Sequence, residues 1–255
     1  MQLVDDLLAA LPDGDVLDVC IGLHWTAVTV QIGDHMRCGL ASTVTGPHNH
    51  SANPDVPQAG QLHALSARER ARLAHSEQPP LASIGVAAIN ALLPPQPDRW
   101  HDVNAEEVIA AQGQGKTIAL VGSFPFIPAL RSRLERLFVL ELQPKDDELP
   151  AEAAPDILPQ ADIVAITSMS LVNHTLENLL HLCSPAATVL LLGPSTPLSP
   201  LLFEHGIDLL SGSVVTDINR VLAAIKQGAN FRQVHRAGVR LVTMSREGTA
   251  FGEDV

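Results

Sequence analysis

The stretch Leu190-Leu191-Leu192-Gly193-Pro194-Ser195-Thr196-Pro197-Leu198 constrains the fold most, because an apolar run halts in a glycine and restarts through Ser-Thr-Pro. A buried parallel strand, covered on both faces, reads as continuous hydrophobics. Ser or Thr ahead of a proline at the first helical position is a helix-start signal. The spacing therefore predicts a strand, a tight loop and a helix N-terminus. In open α/β sheets, ligands gather at such loops, because unpaired backbone N–H groups and the helix dipole point outward there.

The same alternation recurs along the second half. Apolar strands are expected at 117–122, 138–142, 162–167, 187–193 and 207–212, separated by helical or irregular crossovers. The helix expected at 126–137 aligns Phe126, Leu130, Leu134 and Leu137, and one at 171–182 aligns Leu176, Leu179 and Leu180. A last helix, 216–227, ends at Gly228, and 239–243 offers one more strand. Neighbouring parallel strands need long, right-handed connections, so this half reads as a doubly wound parallel sheet.

At 255 residues the chain exceeds the usual single α/β domain. The segment Leu93-Pro94-Pro95-Gln96-Pro97-Asp98-Arg99-Trp100 cannot continue a helix and marks a boundary, giving expected domains of 1–100 and 101–255. Before it come a short helix at 4–11, strands at 16–20, 26–32 and 36–41 with a Gly33-Asp34 turn, and helices at 66–74 and 83–92, the second capped by Ser83. That is a small α+β unit. After it, Asn104 with Glu107 three residues on starts a connecting helix to Gln112.

Charge and composition exclude several functions. With 28 acidic against 16 basic side chains, the chain presents no basic field for nucleic acid. No apolar run approaches the roughly 20 residues that span a bilayer, and Met1-Gln2-Leu3-Val4-Asp5-Asp6 is no secretion signal. A cytoplasmic protein without membrane or nucleic-acid partners is expected; self-association into a homo-oligomer is left open. Cys20, Cys38 and Cys183 sit in apolar contexts with no C-x-x-C pair, and read as buried reduced thiols.

The loops after the strands are polar as a set. They contain Gly122, Ser123 and Phe124; Glu141; Thr167, with Asn173 and Thr175 beyond; Gly193, Pro194, Ser195 and Thr196; and Gly212 through Asp217. Helix capping accounts for part of this. Together the loops form a crevice suited to an anion or a polar small molecule.

A dinucleotide fingerprint needs three glycines. Only Gly122 is present, followed by Ser123, Phe124 and Pro125, although Glu141 ends the second strand where a ribose-binding acid stands. A nucleotide cofactor is therefore not expected. His48 and His50, at i and i+2 in Gly46-Pro47-His48-Asn49-His50, could converge on a transition metal given a third ligand; a solvated loop explains them as well. There is no Gly-x-Ser-x-Gly elbow around Ser195, and Gly113-Gln114-Gly115-Lys116-Thr117 precedes its strand instead of following it, so neither a hydrolase nor a Walker site is read and no catalytic residue is assigned.

Several segments carry a resemblance: Pro80–Ala91 in the first half; Ile118-Ala119-Leu120-Val121-Gly122-Ser123-Phe124-Pro125, Leu158–Val164, Leu171-Val172-Asn173-His174-Thr175-Leu176-Glu177 and the Gly193–Leu198 loop in the second. The chain resembles the DUF364 proteins, labelled "putative heavy-metal chelation", with a companion N-terminal domain, DUF4213. The resemblance implies an N-terminal domain like the small domain of enolase, a Rossmann-like C-terminal domain and a site in the cleft between them. It places Gly122, Ser123, Glu141, Asn173, Thr175, Ser195, Thr196 and Asp217 on one side of that cleft and Asn90, with Thr43 or Thr45, on the other. The expected ligand is a metal or a small polar chelate, in a metal-handling role; the alternative is a small-molecule dehydrogenase, transferase or lyase with a nucleotide-type cofactor.

Overall fold

A computed structural model describes residues 1–45 and 54–247. The first half holds helix α1 (Gln2–Ala10), strands β1 (Asp15–Ile21), β2 (Trp25–Ile32) and β3 (His35–Ser42), and helices α2 (Ala67–Ala71) and α3 (Pro79–Leu92). The strands form an antiparallel meander in the order β1-β2-β3. The second half holds α4 (Ala105–Gln112), β4 (Thr117–Val121), α5 (Ile127–Arg131), β5 (Arg136–Glu141), β6 (Leu149–Pro150), α6 (Ala154–Ile157), β7 (Ile163–Thr167), α7 (Met169–Val172), α8 (Leu176–Leu182), β8 (Thr188–Leu192), β9 (Leu209–Val215), α9 (Ile218–Lys226), α10 (Phe231–Gly238) and β10 (Val239–Ser245).

The large sheet runs β10-β9-β8-β7-β4-β5-β6, with only β10 antiparallel to its neighbour. The parallel strands thus wind outward in two directions from β4 and β7, the order of the doubly wound dinucleotide-binding sheet, and the switch point lies between those two strands. All their carboxyl ends share one edge.

Apolar runs persist along these strands because both faces are covered. On β8, Leu190 and Leu192 face one core with Ile118, Leu120, Ile163 and the α4 and α5 side chains, while Leu191 faces the other. That second core continues through Leu171, Val172, Leu202 and Leu210 into Leu3, Leu7, Ile84 and Leu92 of the first half. Each fully buried leucine contributes about 2 kcal/mol, so the halves share hydrophobic stabilisation. The meander is itself sandwiched, with Val28, Val30 and Ala41 against α3 and Cys20, Ala27 and Leu40 against Val221, Ile225 and Val234 of α9 and α10. The small sheet is thereby tied to the C-terminal helices.

Several expectations are corrected. The helix at 83–92 begins earlier, at Pro79, where two prolines fill the first turn; Ser83 lies inside it, its hydroxyl donating to the Pro79 carbonyl. Expected helix 126–137 stops at Arg131, since Arg136 already pairs with Thr117. Expected helix 171–182 is two helices broken at His174, whose φ is +62°. The Ser-Thr-Pro segment does not start a helix: 193–199 is irregular, and a 3-10 turn, Pro200–His205, comes after it. Prolines 194, 197 and 200 remove the N–H groups a helical start would supply. Residues 212–215 belong to β9, pairing with β10, so that rim loop shrinks to Thr216 and Asp217. His48 and His50 lie outside the described residues. No helix among the described residues is long and apolar enough to cross a membrane.

Candidate functional site

At the end of β8, Gly193 adopts φ +124°, and a Cβ there would lie 2.7 Å from the Ser168 hydroxyl. This turn drives Pro194 through Thr196 beneath β3 and α3. Ser195 and Thr196 are 0% and 2% exposed, in contrast to the solvent-facing helix start read from the sequence. Their polar groups join the two halves: the Ser42 N–H donates to Ser195 Oγ at 2.8 Å. The Asn90 amide donates to the carbonyls of Leu40 at 2.9 Å and Ser195 at 3.0 Å. The Ser213 hydroxyl donates to the Pro194 carbonyl at 3.1 Å.

Beside this junction lies a cleft of about 170 Å³, walled by Met36 to Gly39 of β3, Asn90 and Ala91 of α3, Leu93 to Pro95 of the linker, Trp100, Thr196, Leu198, Ser213 to Val215 of β9, and Ile218. Three of its wall residues carry buried polar atoms with no hydrogen-bond partner among the described residues: Asn90 Oδ1, Trp100 Nε1 and Thr196 Oγ1. An unmade buried hydrogen bond costs about 1–3 kcal/mol, so three around one hollow are a concentrated deficit. A second hollow of about 340 Å³ adjoins it, sharing Leu93, Pro94 and Leu198, but none of its lining residues holds such an atom.

Trp100 is held in place by the two residues after it in the chain. His101 bridges to Thr243 of β10, and the Asp102 carboxylate takes two bonds from Arg240, at 2.6 and 2.8 Å, which hold it below the usual carboxylate range. Cys38 also lines the cleft, and burial pushes its thiol up to about 12, so it stays protonated and neutral.

The other sequence-derived site residues are spread along the carboxyl edge. Gly122, at φ +109°, sits against Thr167: an added Cβ would fall 2.9 Å from the threonine Cβ. Gly122 and Gly193 thus let the ends of β4 and β8 close on Thr167 and Ser168, which line the switch point. Ser123 donates to Glu148, and Phe124 stacks on Phe126 with centroids 5.1 Å apart. Glu141 Oε1 accepts from the N–H of Leu142, and Asn173 Oδ1 accepts from the Thr175 N–H and hydroxyl in a local turn. Asp217 caps α9 by accepting from the Arg220 N–H. Thr43 pairs with Thr26, hydroxyl to hydroxyl, at 2.9 Å. The structure therefore brings together Asn90, Pro194, Ser195 and Thr196 at the junction and Gly122, Thr167 and Gly193 at the switch point, and leaves the remainder dispersed.

Residues 104–244 match the model of a family described as "Putative heavy-metal chelation", DUF364, and residues 4–93 match DUF4213, described in the same words. The chain belongs to the DUF364 family. A crystal structure of a DUF364 protein of unknown function from Desulfitobacterium hafniense is 29% identical, with a TM-score of 0.78 over 96% of this chain and 97% of that one. Another, from Pyrococcus horikoshii, is 21% identical with a TM-score of 0.80, covering 96% and 98%, and shows the fold. An uncharacterized protein of Methanocaldococcus jannaschii is 25% identical over 222 residues, 84% of each chain.

In this DUF364 chain, no group of three or more His, Cys, Asp or Glu side chains that could hold a metal ion occurs among the described residues. The cleft offers the Arg37 guanidinium and neutral donors and acceptors instead. Sequence reasoning did not single out Arg37, Cys38 or Trp100 as site residues. One signal was available: Trp100 closes the proline-rich linker, where a large indole would be out of place without a surface to cover.

Proposed function

We propose that this DUF364 protein binds a small polar molecule, such as a metal chelate, in the cleft between its two halves and serves in metal handling. The observation that carries this reading is the set of unpartnered buried atoms, Asn90 Oδ1, Trp100 Nε1 and Thr196 Oγ1, on residues lining one hollow. At about 170 Å³ the cleft falls below the usual 300–1,000 Å³ of drug-sized sites, which favours a compact ligand. The family description supports a metal as cargo. Since the described cleft walls lack a ligand set, the metal arrives with its own chelator, and His48 and His50 are the candidates for a further contact.

Thermal shift and calorimetry with nickel, zinc and copper ions, each alone and as its citrate complex, test this. The citrate complex is expected to stabilise the fold by about 2.7 kcal/mol at a hundredfold excess over its Kd, with a smaller response to the bare ion. A Trp100→Phe/Thr196→Val double variant should lose that response. Unchanged binding by the double variant would move the ligand elsewhere.

The strand order favours a second reading, an enzyme with a nucleotide-type cofactor at the switch point, in which Glu141 at the end of β5 takes a ribose hydroxyl pair. Thermal shifts with NAD, NADP and S-adenosylmethionine separate it from the first.

A further inference from the structure

The charge distribution around the cleft goes further than its shape. Acidic side chains outnumber basic ones 28 to 16 in the chain, yet the charged residue on the cleft wall is a cation, Arg37, and neither Asp nor Glu lines it. Arg37 lies half-buried on β3 and has no carboxylate partner among the described residues; one guanidinium N–H donates to the Leu93 carbonyl at 3.2 Å. That bond anchors the side chain against the linker and leaves further N–H donors. The other unpaired groups lean the same way: an indole N–H and a threonine hydroxyl can donate, and Asn90 Oδ1 alone is restricted to accepting.

We propose that the ligand carries an acid group, a carboxylate or another oxyanion, and that the Arg37 guanidinium receives it while the apolar walls from Leu93, Pro94, Leu198 and Ile218 enclose its remaining body. This rests on the reading of the cleft as a ligand site. A planar guanidinium fork matches an oxyanion in two-point fashion. Such a charge-assisted contact accounts for roughly ten- to hundredfold in affinity.

The test uses the full chain and matched acid–amide pairs: benzoate with benzamide, nicotinate with nicotinamide, and succinate with succinamide, ranked by saturation-transfer NMR and titrated by calorimetry. The acids are expected to bind at least tenfold more tightly than their amides. Arg37→Gln should weaken the acids ten- to hundredfold and move the amides less than twofold, Arg37→Lys should recover part of the loss, and Trp100→Phe should weaken both classes. Circular dichroism and the thermal midpoint of each variant confirm folding. Amides binding as tightly as acids would overturn the acid assignment and leave the cleft reading intact. Acid selectivity that survives Arg37→Gln would overturn the role of Arg37. Binding by none of the six probes would overturn both the acid assignment and the cleft reading beneath it.

Discussion

The Asn90 side-chain amide donates to the main-chain carbonyl of Ser195 at 3.0 Å, across 105 positions of sequence. The same nitrogen donates to Leu40 on β3 at 2.9 Å. One side chain on α3 therefore clamps a strand of the small sheet to the β8 loop of the large one. The cleft owes its form to this clamp, since its walls come from both partners.

Replacing Asn90 should be felt as global instability. Asn90→Ala leaves two carbonyls without donors, at about 1–3 kcal/mol each, and a loss of about 2–4 kcal/mol is expected. Asn90→Asp should be worse, because a carboxylate cannot donate to either carbonyl and faces both with negative charge. Urea titrations check this: the midpoint falls in the order wild type, Ala, Asp, with the slope unchanged.

Gly193→Ala is expected to cost about 1–3 kcal/mol from backbone strain at φ +124°. The new Cβ also meets the Ser168 hydroxyl at 2.7 Å. The double variant with Ser168→Gly removes the collision and leaves the strain, so it should recover part of the loss. Thermal midpoints of the two variants separate the contributions.

The second half was legible because its signals are local. Continuous apolar runs marked β4, β5, β7, β8 and β9, and Asn104 with Glu107 forms the capping box that the spacing implied. The switch-point loops were legible as backbone turns but not as environments. Nothing in Gly193-Pro194-Ser195-Thr196 tells that it is buried against the first half of the chain: Ser195 meets Ser42 and Asn90, more than 100 residues away. The two-residue β6 carried too little pattern. In the eight-residue helix α10 only Val234 is fully buried, with Phe231 and Ala237 half-buried on the same stripe.

Arg70 offers a test of the first half. Its guanidinium is 1% exposed and is met by the carbonyls of Leu62 and Gln61 and by the Gln58 side chain, with no carboxylate. Arg70→Met should cost about 1–3 kcal/mol, chiefly through the buried Leu62 carbonyl. Arg70→Lys should not rescue it, because one ammonium cannot span three acceptors held by a planar fork. Amide exchange should show residues 58–62 losing protection in both variants well before the large sheet does.

The thiols give the chain an alkaline limit. Burial pushes Cys38 from about 9 to about 12 and Cys183 to about 11, so the folded protein keeps protons that the unfolded chain releases. With fewer protons bound by the unfolded state, stability falls as pH rises above 9, by up to about 1.4 kcal/mol per pH unit for each thiol, until the folded thiol itself ionises. Below pH 9 both states are protonated and the thiols contribute no slope. The chain has no tyrosine to obscure this range. Urea midpoints between pH 7 and 11 should be flat to pH 8.5 and then decline, and Cys38→Ala should make the decline shallower. A decline of equal steepness in the variant would show that another group sets the limit.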